Sequence, residues 1–433
     1  MRVCDLRPGL KLTQEVRDVS GRLLLGQGMP LSDRSIGVLK AWGVAEVAVE
    51  GETAGHLADF GGSEEEVPDE LAAKARDIAA ARLVRNDLSH PFIQDVFRLA
   101  TARAVSLLAG GDYVDRSAAK AQDCAGAAPS SPDRRPPGRE HRDFSAQVPE
   151  PLDLERLTAG DPALGARPEV LSRLAQAMEN PAASAIEVAD IIQNDPGLTA
   201  KLLKVVNSAL YGFPSRIETI SRAVTVIGVQ QLSALALGVT VMGMFKDIPK
   251  DLLDVGRFWR HCLACACGSR ALASAMGLPN TERFFVAGLL HDVGLLLLIL
   301  QAPEHVRHVL ADVREHGEEL LAAERRIIGI DHTMAGEALL SGWQLPPSLV
   351  AAAACHHDPM TAANPRDAAI IHVADFLAEA LLFGSSGQSV IMPLELAAFD
   401  LLEAPPGVAD TVSSRVEDQL GQLETIFRQD APN

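Results

Sequence analysis

The run FFVAGLLHDVGLLLL, residues 284–298, places one polar pair, His291-Asp292, inside an otherwise apolar stretch. Burying a charge is costly unless it is paired or coordinates a metal. The pair is therefore expected to be either a hydrogen-bonded dyad in the core or part of a metal site. Its small neighbours Ala287, Gly288 and Gly294 leave space for an ion or a partner helix to approach. On a continuous helix, adjacent residues point about 100° apart, so His291 and Asp292 would address different sides of a shared site. Residues 284–300 and 223–245 are apolar enough to mimic membrane spans. The first carries His291-Asp292 and the second is broken by Gly228 and Gln230-Gln231, so both are expected as buried core helices, with no transmembrane segment.

A chain of 433 residues exceeds one ordinary core, and 47% hydrophobic residues with only 4% aromatics suit a mainly helical protein of several domains. The formal charge of −18 argues against sequence-independent binding to nucleic acid or an anionic membrane, both of which need a basic footprint. The six cysteines are irregularly spaced, and the opening MRVCDLRPGLKL has no apolar core of a secretory signal. A cytoplasmic protein with reduced thiols is the expectation.

Taken in order, residues 1–55 are expected to form a small α/β module. Strands at 12–16 and 22–25 flank the turn Asp18-Val19-Ser20-Gly21, a helix runs from a Ser32 cap through Trp42 to Gly43, and a last strand covers 44–49. An acidic linker at 61–68 leads into a helical connector, 64–124, with Leu71, Ile78 and Leu83, then Val96, Leu99 and Leu107, at helical spacing. The connector either bridges through solvent or dimerises. Residues 125–151 hold six prolines with Arg134, Arg135, Arg139 and Arg142 between them and no apolar period, which is a flexible linker.

From 152 to 430 the pattern is that of an all-α bundle. Ser184-Ala185-Ile186-Glu187 reads as a capping box ahead of Ile186, Ile191 and Ile192. Asp195-Pro196 opens a helix expected to reach Leu210 and stop near Gly212, and residues 219–227 end at Gly228 before a helix at 229–245. A helix-turn-helix reading for DNA fails on the apolar faces of its candidate recognition helices, 198–209 and 229–242. His261 falls in a helix at 257–276. The last stretch, 393–428, packs through Leu401, Val412, Val416, Leu420 and Ile426.

Several stretches together resemble the HDOD family, HD-related output domains of bacterial signalling proteins. They are residues 168–174, IIQNDP at 191–196, LLKVVNSALYG at 202–212, 220–228, FWRH at 258–261, GLLHDVG at 288–294 and GWQLP at 342–346. The likeness spans about 152–382. Leu6-Arg7-Pro8-Gly9, Gly21-Arg22-Leu23-Leu24, Gly28, Leu31 and Trp42-Gly43-Val44 resemble the small module preceding HD-GYP-type phosphodiesterases. The HDOD resemblance implies an all-α, HD-like helical bundle and metal ligands at His261, His291, Asp292 and Asp375, with His332, His356 and His357 as further candidates. It also implies a domain without hydrolase activity.

The residues add their own chemistry. His372 and Asp375 lie one turn apart on one face, and an N/O donor set suits a divalent Fe, Mn, Zn or Mg. Leu295 occupies the place of the lysine found in HD-GYP enzymes, and the Gly-Tyr-Pro signature is absent, the only tyrosines being Tyr113 and Tyr211. An apolar Leu295 cannot steady a phosphate. Cys262, Cys265 and Cys267 follow His261 but diverge around a helix, so small buried residues are expected there rather than a thiolate site, with a redox-sensing thiol as the alternative.

The leading expectation is a signal-transduction protein whose HDOD domain is a non-catalytic output module for a protein partner or a small nucleotide ligand. A homodimer is one option, DNA is disfavoured as a partner and no membrane is expected. The alternative is a metal-dependent phosphohydrolase, conceivably acting on a cyclic dinucleotide. No catalytic residue is assigned.

Overall fold

The computed structural model of the protein describes residues 68–111 and 150–428, apart from gaps at 155–156, 158–168, 181, 214, 246–247 and 388–390. Within the first fifty residues it describes 6, 9–17, 23–32, 35–36, 39 and 47–49. The described chain is mainly helical.

Near the start, β1 (Val16–Arg17) pairs antiparallel with β2 (Leu23–Leu25), Val16 opposite Leu25 and Arg17 opposite Leu23. Single bridges add Lys11 to Pro30 and Leu12 to Val49. Leu12, Leu31, Leu39 and Val47 close a small apolar cluster over them. Ser32 Oγ accepts from the Ser35 N–H at 3.1 Å, the start expected for the helix, whose remainder to Trp42 lies mostly outside the described residues. Among the described residues, the α/β character expected for 1–55 goes no further than this ribbon and its cluster. The Arg-containing linker expected at 125–151 also lies almost wholly outside them.

The two helices of the expected connector are α1 (Asp69–Arg82) and α2 (Pro91–Ala109). They do not stand apart from the bundle: Ala79, Leu83, Phe92, Ile93, Val96 and Ala100 share its core. The bundle proper begins with α3 (Glu169–Glu179), α4 (Ala185–Gln193), α5 (Pro196–Val206), α6 (Ile220–Ile227) and α7 (Val229–Met244). Asp195 caps α5 by accepting from the Leu198 N–H at 3.0 Å, and Thr219 caps α6 through the Arg222 N–H. Gly228, at φ 110°, separates α6 from α7 in a conformation that favours glycine.

Three local expectations need correction. Ser184 makes no side-chain cap, and Ile186 is exposed, so α4 buries Val188, Ile191 and Ile192 instead. Helix α5 ends at Val206 because the Asn207 amide turns back, bonding the carbonyls of Leu203 and Ile217 and the N–H of Ile217. Leu401 is exposed, while Val412, Val416 and Leu420 are buried as expected.

Helix α8 (Val255–Ala275), capped by Asp254, is the central rod. Around it lie α9 (Thr281–Leu290), α15 (Pro365–Ala380) and α17 (Val408–Arg428), with α2 laid over α15 and α17. Next come α10 (Val293–Gln301), α11 (Pro303–His316), α12 (Leu320–Ile327), α13 (His332–Gly342) and α14 (Pro347–Cys355), and α16 (Leu396–Leu401) closes on α15. The apolar run that could cross a membrane by length is α9 with α10, and most of it is buried inside the bundle. It is not one helix. The chain breaks at His291-Asp292, His291 ending α9 and Asp292 starting α10.

Candidate metal centre

Every site residue expected from the sequence arrives at one place. His261 comes from the second turn of α8, and His291 and Asp292 from the break between α9 and α10. His332 opens α13, whose N-terminus is fixed by Asp331 accepting from the Met334 N–H at 2.9 Å. His356 and His357 follow α14, and Asp375 sits in α15. His261, His291 and His356 have no exposed surface, and His332, Asp292 and Asp375 are buried too.

The rings of His261, His291, His332 and His356 share one orientation, with Nδ1 outward and Nε2 inward. Nδ1 of His291 is placed to donate to the Gly288 carbonyl at 2.8 Å, and that of His356 to the Ala353 carbonyl at 3.0 Å. Nδ1 of His332 lies 2.6 Å from Glu324 Oε2, which also accepts the His332 backbone N–H. Nδ1 of His261 faces Glu379 Oε1 at 3.5 Å. The inward nitrogens then crowd together: His261 Nε2 is 3.3 Å from His291 Nε2, and His332 Nε2 is 3.0 Å from His357 Nε2.

With each outer nitrogen protonated, the inner ones present lone pairs to each other, which is unfavourable unless a cation lies between them. His356 Nε2 is buried without a hydrogen-bond partner. This donor set fits a metal.

Asp292 straddles two groups. Its Oδ1 lies 3.3 Å from His356 Nε2 and 3.7 Å from His332 Nε2, while Oδ2 lies 3.5 Å from His291 Nε2 and 3.7 Å from His261 Nε2. One group of donor atoms within reach of a single ion is Asp292, His332, His356 and His357; another is His261, His291 and Asp292. Asp375 Oδ1 joins the second, 3.1 Å from His261 Nε2 and 3.5 Å from His291 Nε2. The helix break makes this possible. His291 and Asp292 face one space, not the two sides a continuous helix would give.

The electrostatics follow. Burial opposes the charge on Asp292, but His291, His356 and His332 override it and hold the carboxyl far below the usual range. Asp375 is likewise held down against burial, by His261 and His291. Burial also resists charging His332, yet Glu324 holds it up to about 9. His356 and His357 are pushed down, chiefly by burial. The cluster thus pairs acidic carboxylates with imidazoles of both kinds, a donor set that could bind a metal.

Other expected neighbours stay out. His372 shares a helix with Asp375, but its Nδ1 bonds the His356 carbonyl at 2.7 Å and its Nε2 accepts the Glu395 N–H at 2.9 Å, so it fixes the backbone beside the site. Cys262, Cys265 and Cys267 are buried, and burial raises all three thiols, Cys267 to about 12. Leu295 is buried in α10. A groove of about 900 Å³ opens elsewhere, between α5, Arg216–Glu218 and α17, and no donor of the cluster lines it.

The outer carboxylates Glu324 and Glu379 were not foreseen. Glu324 lies eight residues before His332, and Glu379 is more than a hundred residues from His261, so no local spacing marks either.

Comparison with known proteins decides the family of this region. Residues 164–359 match the family model described as the HDOD domain, a little under half of the chain. The chain carries an HDOD domain. A Treponema pallidum protein described only as uncharacterised is 27% identical over 192 residues, which are 44% of this chain and 37% of that one. The chain therefore aligns with little more than a third of that relative's length.

A Shewanella amazonensis crystal structure, named provisionally as a phosphohydrolase, aligns over 64% of this chain and 97% of its own, with TM-score 0.52 and 22% identity. An HDOD domain protein of unknown function from Geobacter sulfurreducens aligns over 64% and 99%, with TM-score 0.50 and 23% identity. A Marinobacter aquaeolei protein, named provisionally for signal transduction, aligns over 61% and 60%, with the same score and identity. These likenesses give the HDOD domain its fold.

Proposed function

We propose that this chain is a bacterial signal-transduction protein whose HDOD domain is a non-catalytic, metal-holding interaction module. The observation carrying the reading is the burial of most of the donor set: three of its histidines have no exposed surface, Asp375, the most exposed of its carboxylates, is only 9% exposed, and His357 alone of the set is partly exposed. An ion enclosed by α8, α9, α10, α13, α14 and α15 ties these helices together. A phosphodiester needs an open face on the metal, and Leu295 offers it no charge.

On this reading the ligands are His261, His291, Asp292 and Asp375, with His332, His356 and His357 completing a second group around Asp292. The N-terminal segment, resembling the module that precedes HD-GYP-type enzymes, would supply the regulatory input, and a protein partner would receive the output in the cytoplasm.

The shared position of Asp292 between two nitrogen groups favours a second reading, a metal-dependent phosphohydrolase. Asp292, with His261, His291 and Asp375 on one side and His332, His356 and His357 on the other, would hold two divalent ions, and such a pair would supply an activated water and charge neutralisation for attack on phosphorus. The phosphohydrolase name of the Shewanella protein leans the same way, though it belongs to that protein.

One experiment separates the readings. Elemental analysis of the purified chain should find Fe, Mn or Zn near stoichiometry, lost in Asp292→Ala, with no hydrolysis of bis(p-nitrophenyl) phosphate in Mn²⁺ or Mg²⁺. Turnover that His291→Ala abolishes in a folded protein would overturn the non-catalytic reading in favour of the second. Wild-type protein that takes up no metal would sink both and leave His291-Asp292 a core dyad.

A further inference from the structure

Glu379 on α15 stands between the metal centre and a helix from the other end of the chain. Its Oε1 faces His261 Nδ1 at 3.5 Å and accepts the backbone N–H and the hydroxyl of Ser386, at 3.1 and 3.0 Å. Its Oε2 accepts from Arg82 Nη2 at 3.1 Å, and the same nitrogen donates to the Glu379 backbone carbonyl at 2.6 Å. Arg82 is the last residue of α1. Glu379 is 3% exposed, so this ion pair is largely shielded from water and from salt.

The outer nitrogen of His261 faces this carboxylate. The rings of His291, His332 and His356 hold Nδ1 against a carbonyl or carboxylate at 2.6 to 3.0 Å, whereas His261 Nδ1 has Glu379 at 3.5 Å and is short of hydrogen-bond alignment with it. Its backbone is fixed from the other side: a side chain at Gly384, at φ 118°, would strike His261 N at 2.5 Å, so the loop after α15 lies directly against the turn that carries the ring. The chain from Glu379 through Gly384 to Ser386 thus holds His261 by backbone contact and aims it by one carboxylate. Ser386 holds that carboxylate by Oε1 and Arg82 holds it by Oε2.

We propose that Arg82 is a positioning residue of the metal centre: through Glu379 it orients His261, so the seating of α1 on the bundle sets the affinity of the site for a divalent ion. This deepens the metal-holding reading and rests on it. A carboxylate on the outer nitrogen of a metal-bound imidazole fixes the ring and raises its basicity, and its loss typically weakens metal binding about 10- to 100-fold. In the chain, helices α1 and α2 come after the N-terminal segment and the acidic stretch at 61–68. Displacing them would withdraw Arg82 and loosen the grip on the ion, and by linkage an ion in place would hold them down.

The same helices offer an internal control. Arg98 on α2 pairs with Asp410 on α17 at 2.7 Å, and this pair fastens α2 without touching Glu379. The test is competition of Mn²⁺ and Zn²⁺ between EDTA-stripped full-length protein and a chromophoric chelator, with the melting temperature of each apoprotein recorded.

Arg82→Ala should weaken binding about 10-fold, Glu379→Gln at least as much, and Arg82→Lys should recover part of the loss. Arg98→Ala should bind as the wild type does. Wild-type affinity in Arg82→Ala overturns the inference, and so does an equal loss in Arg98→Ala, which would make the effect one of general loosening. Wild-type protein that binds neither ion refutes the metal-holding reading itself, a failure told apart by the wild-type measurement.

Discussion

Replacing Gly294 with alanine tests how the centre is assembled. Gly294 lies two residues beyond Asp292 on α10, where that helix meets the start of α13. A Cβ there would stand 2.0 Å from the His332 carbonyl oxygen, 2.4 Å from Gly336 N and 2.9 Å from Gly336 Cα. All three are backbone atoms, so no rotamer change relieves the clash, and reaching ordinary contact requires the helices to separate by about 1.4 Å.

Overpacking costs about 1–3 kcal/mol where side chains can shift, and a rigid backbone clash belongs at about 3 kcal/mol or above. At roughly 2–4 °C per kcal/mol for a domain of this size, the apoprotein should melt about 6–12 °C below wild type. The displacement also carries His332 away from Asp292, now 3.7 Å apart through Nε2 and Oδ1, so metal content should fall with stability.

Circular dichroism melts of EDTA-stripped protein and elemental analysis of protein as isolated give the two readouts. Gly421→Ala serves as the control: Gly421 lies in α17 with nothing within 4 Å of its added Cβ, so this change should stabilise by about 0.5–1 kcal/mol. Gly294→Ala melting within about 2 °C of wild type, with its metal retained, would refute the close-approach argument.

Glu324→Gln should weaken metal binding about 10-fold, because Glu324 holds His332 by both ring and backbone, and chelator competition measures it. Asp331→Ala should cost about 1–2 kcal/mol by uncapping α13. Burial raises the Asp331 carboxyl, but bonds from Thr333, Met334 and Arg325 outweigh it and leave it lowered. Its stabilisation is therefore full above the unfolded value of about 3.9 and lost as pH falls below it, so urea midpoints of Asp331→Ala should converge on wild type toward pH 3. Cys262, Cys265 and Cys267 should resist iodoacetamide at pH 8 in the folded protein and react in urea, since burial raises all three thiols; peptide mapping that finds any of them labelled natively would restore the redox-sensing alternative.

Some of the candidate donors are marked locally in the sequence, while His261, His332 and Asp375 were reached only through the HDOD resemblance. His291-Asp292 stands out against leucines, and His356-His357 is a doublet. Helix starts were legible where a side chain does the capping, as at Asp195 and Thr219. It failed where tertiary geometry decides: Ser184 has capping chemistry but bonds no N–H, and α5 stops early because Asn207 bonds Ile217, ten residues away. The outer carboxylates were invisible for the same reason. Glu379 reads as an ordinary helix residue until α15 is packed against α8, and Arg82 as a solvated one until α1 is laid beside α15.

The space beside His291-Asp292 was open to two readings, room for an ion or room for a helix, and both glycines answer for the helix. A Cβ at Gly288 would meet Cys265 O at 2.9 Å and Ser269 Oγ at 2.8 Å, on the helix that carries His261; at Gly294 it would meet the helix that carries His332. The small residues flanking the pair therefore admit the elements that bring the other histidines, and the donors converge as a consequence of that packing. In a metal-free protein the same close approach has to be relieved by buried second protons on the inward nitrogens, as the raised His261, His291 and His332 imply. On the metal-holding reading, the ion converts the one costly feature of this packing into its strongest tie, so binding and bundle closure are a single equilibrium. A contact that biases either end of it, as Arg82 does through Glu379, then acts on both.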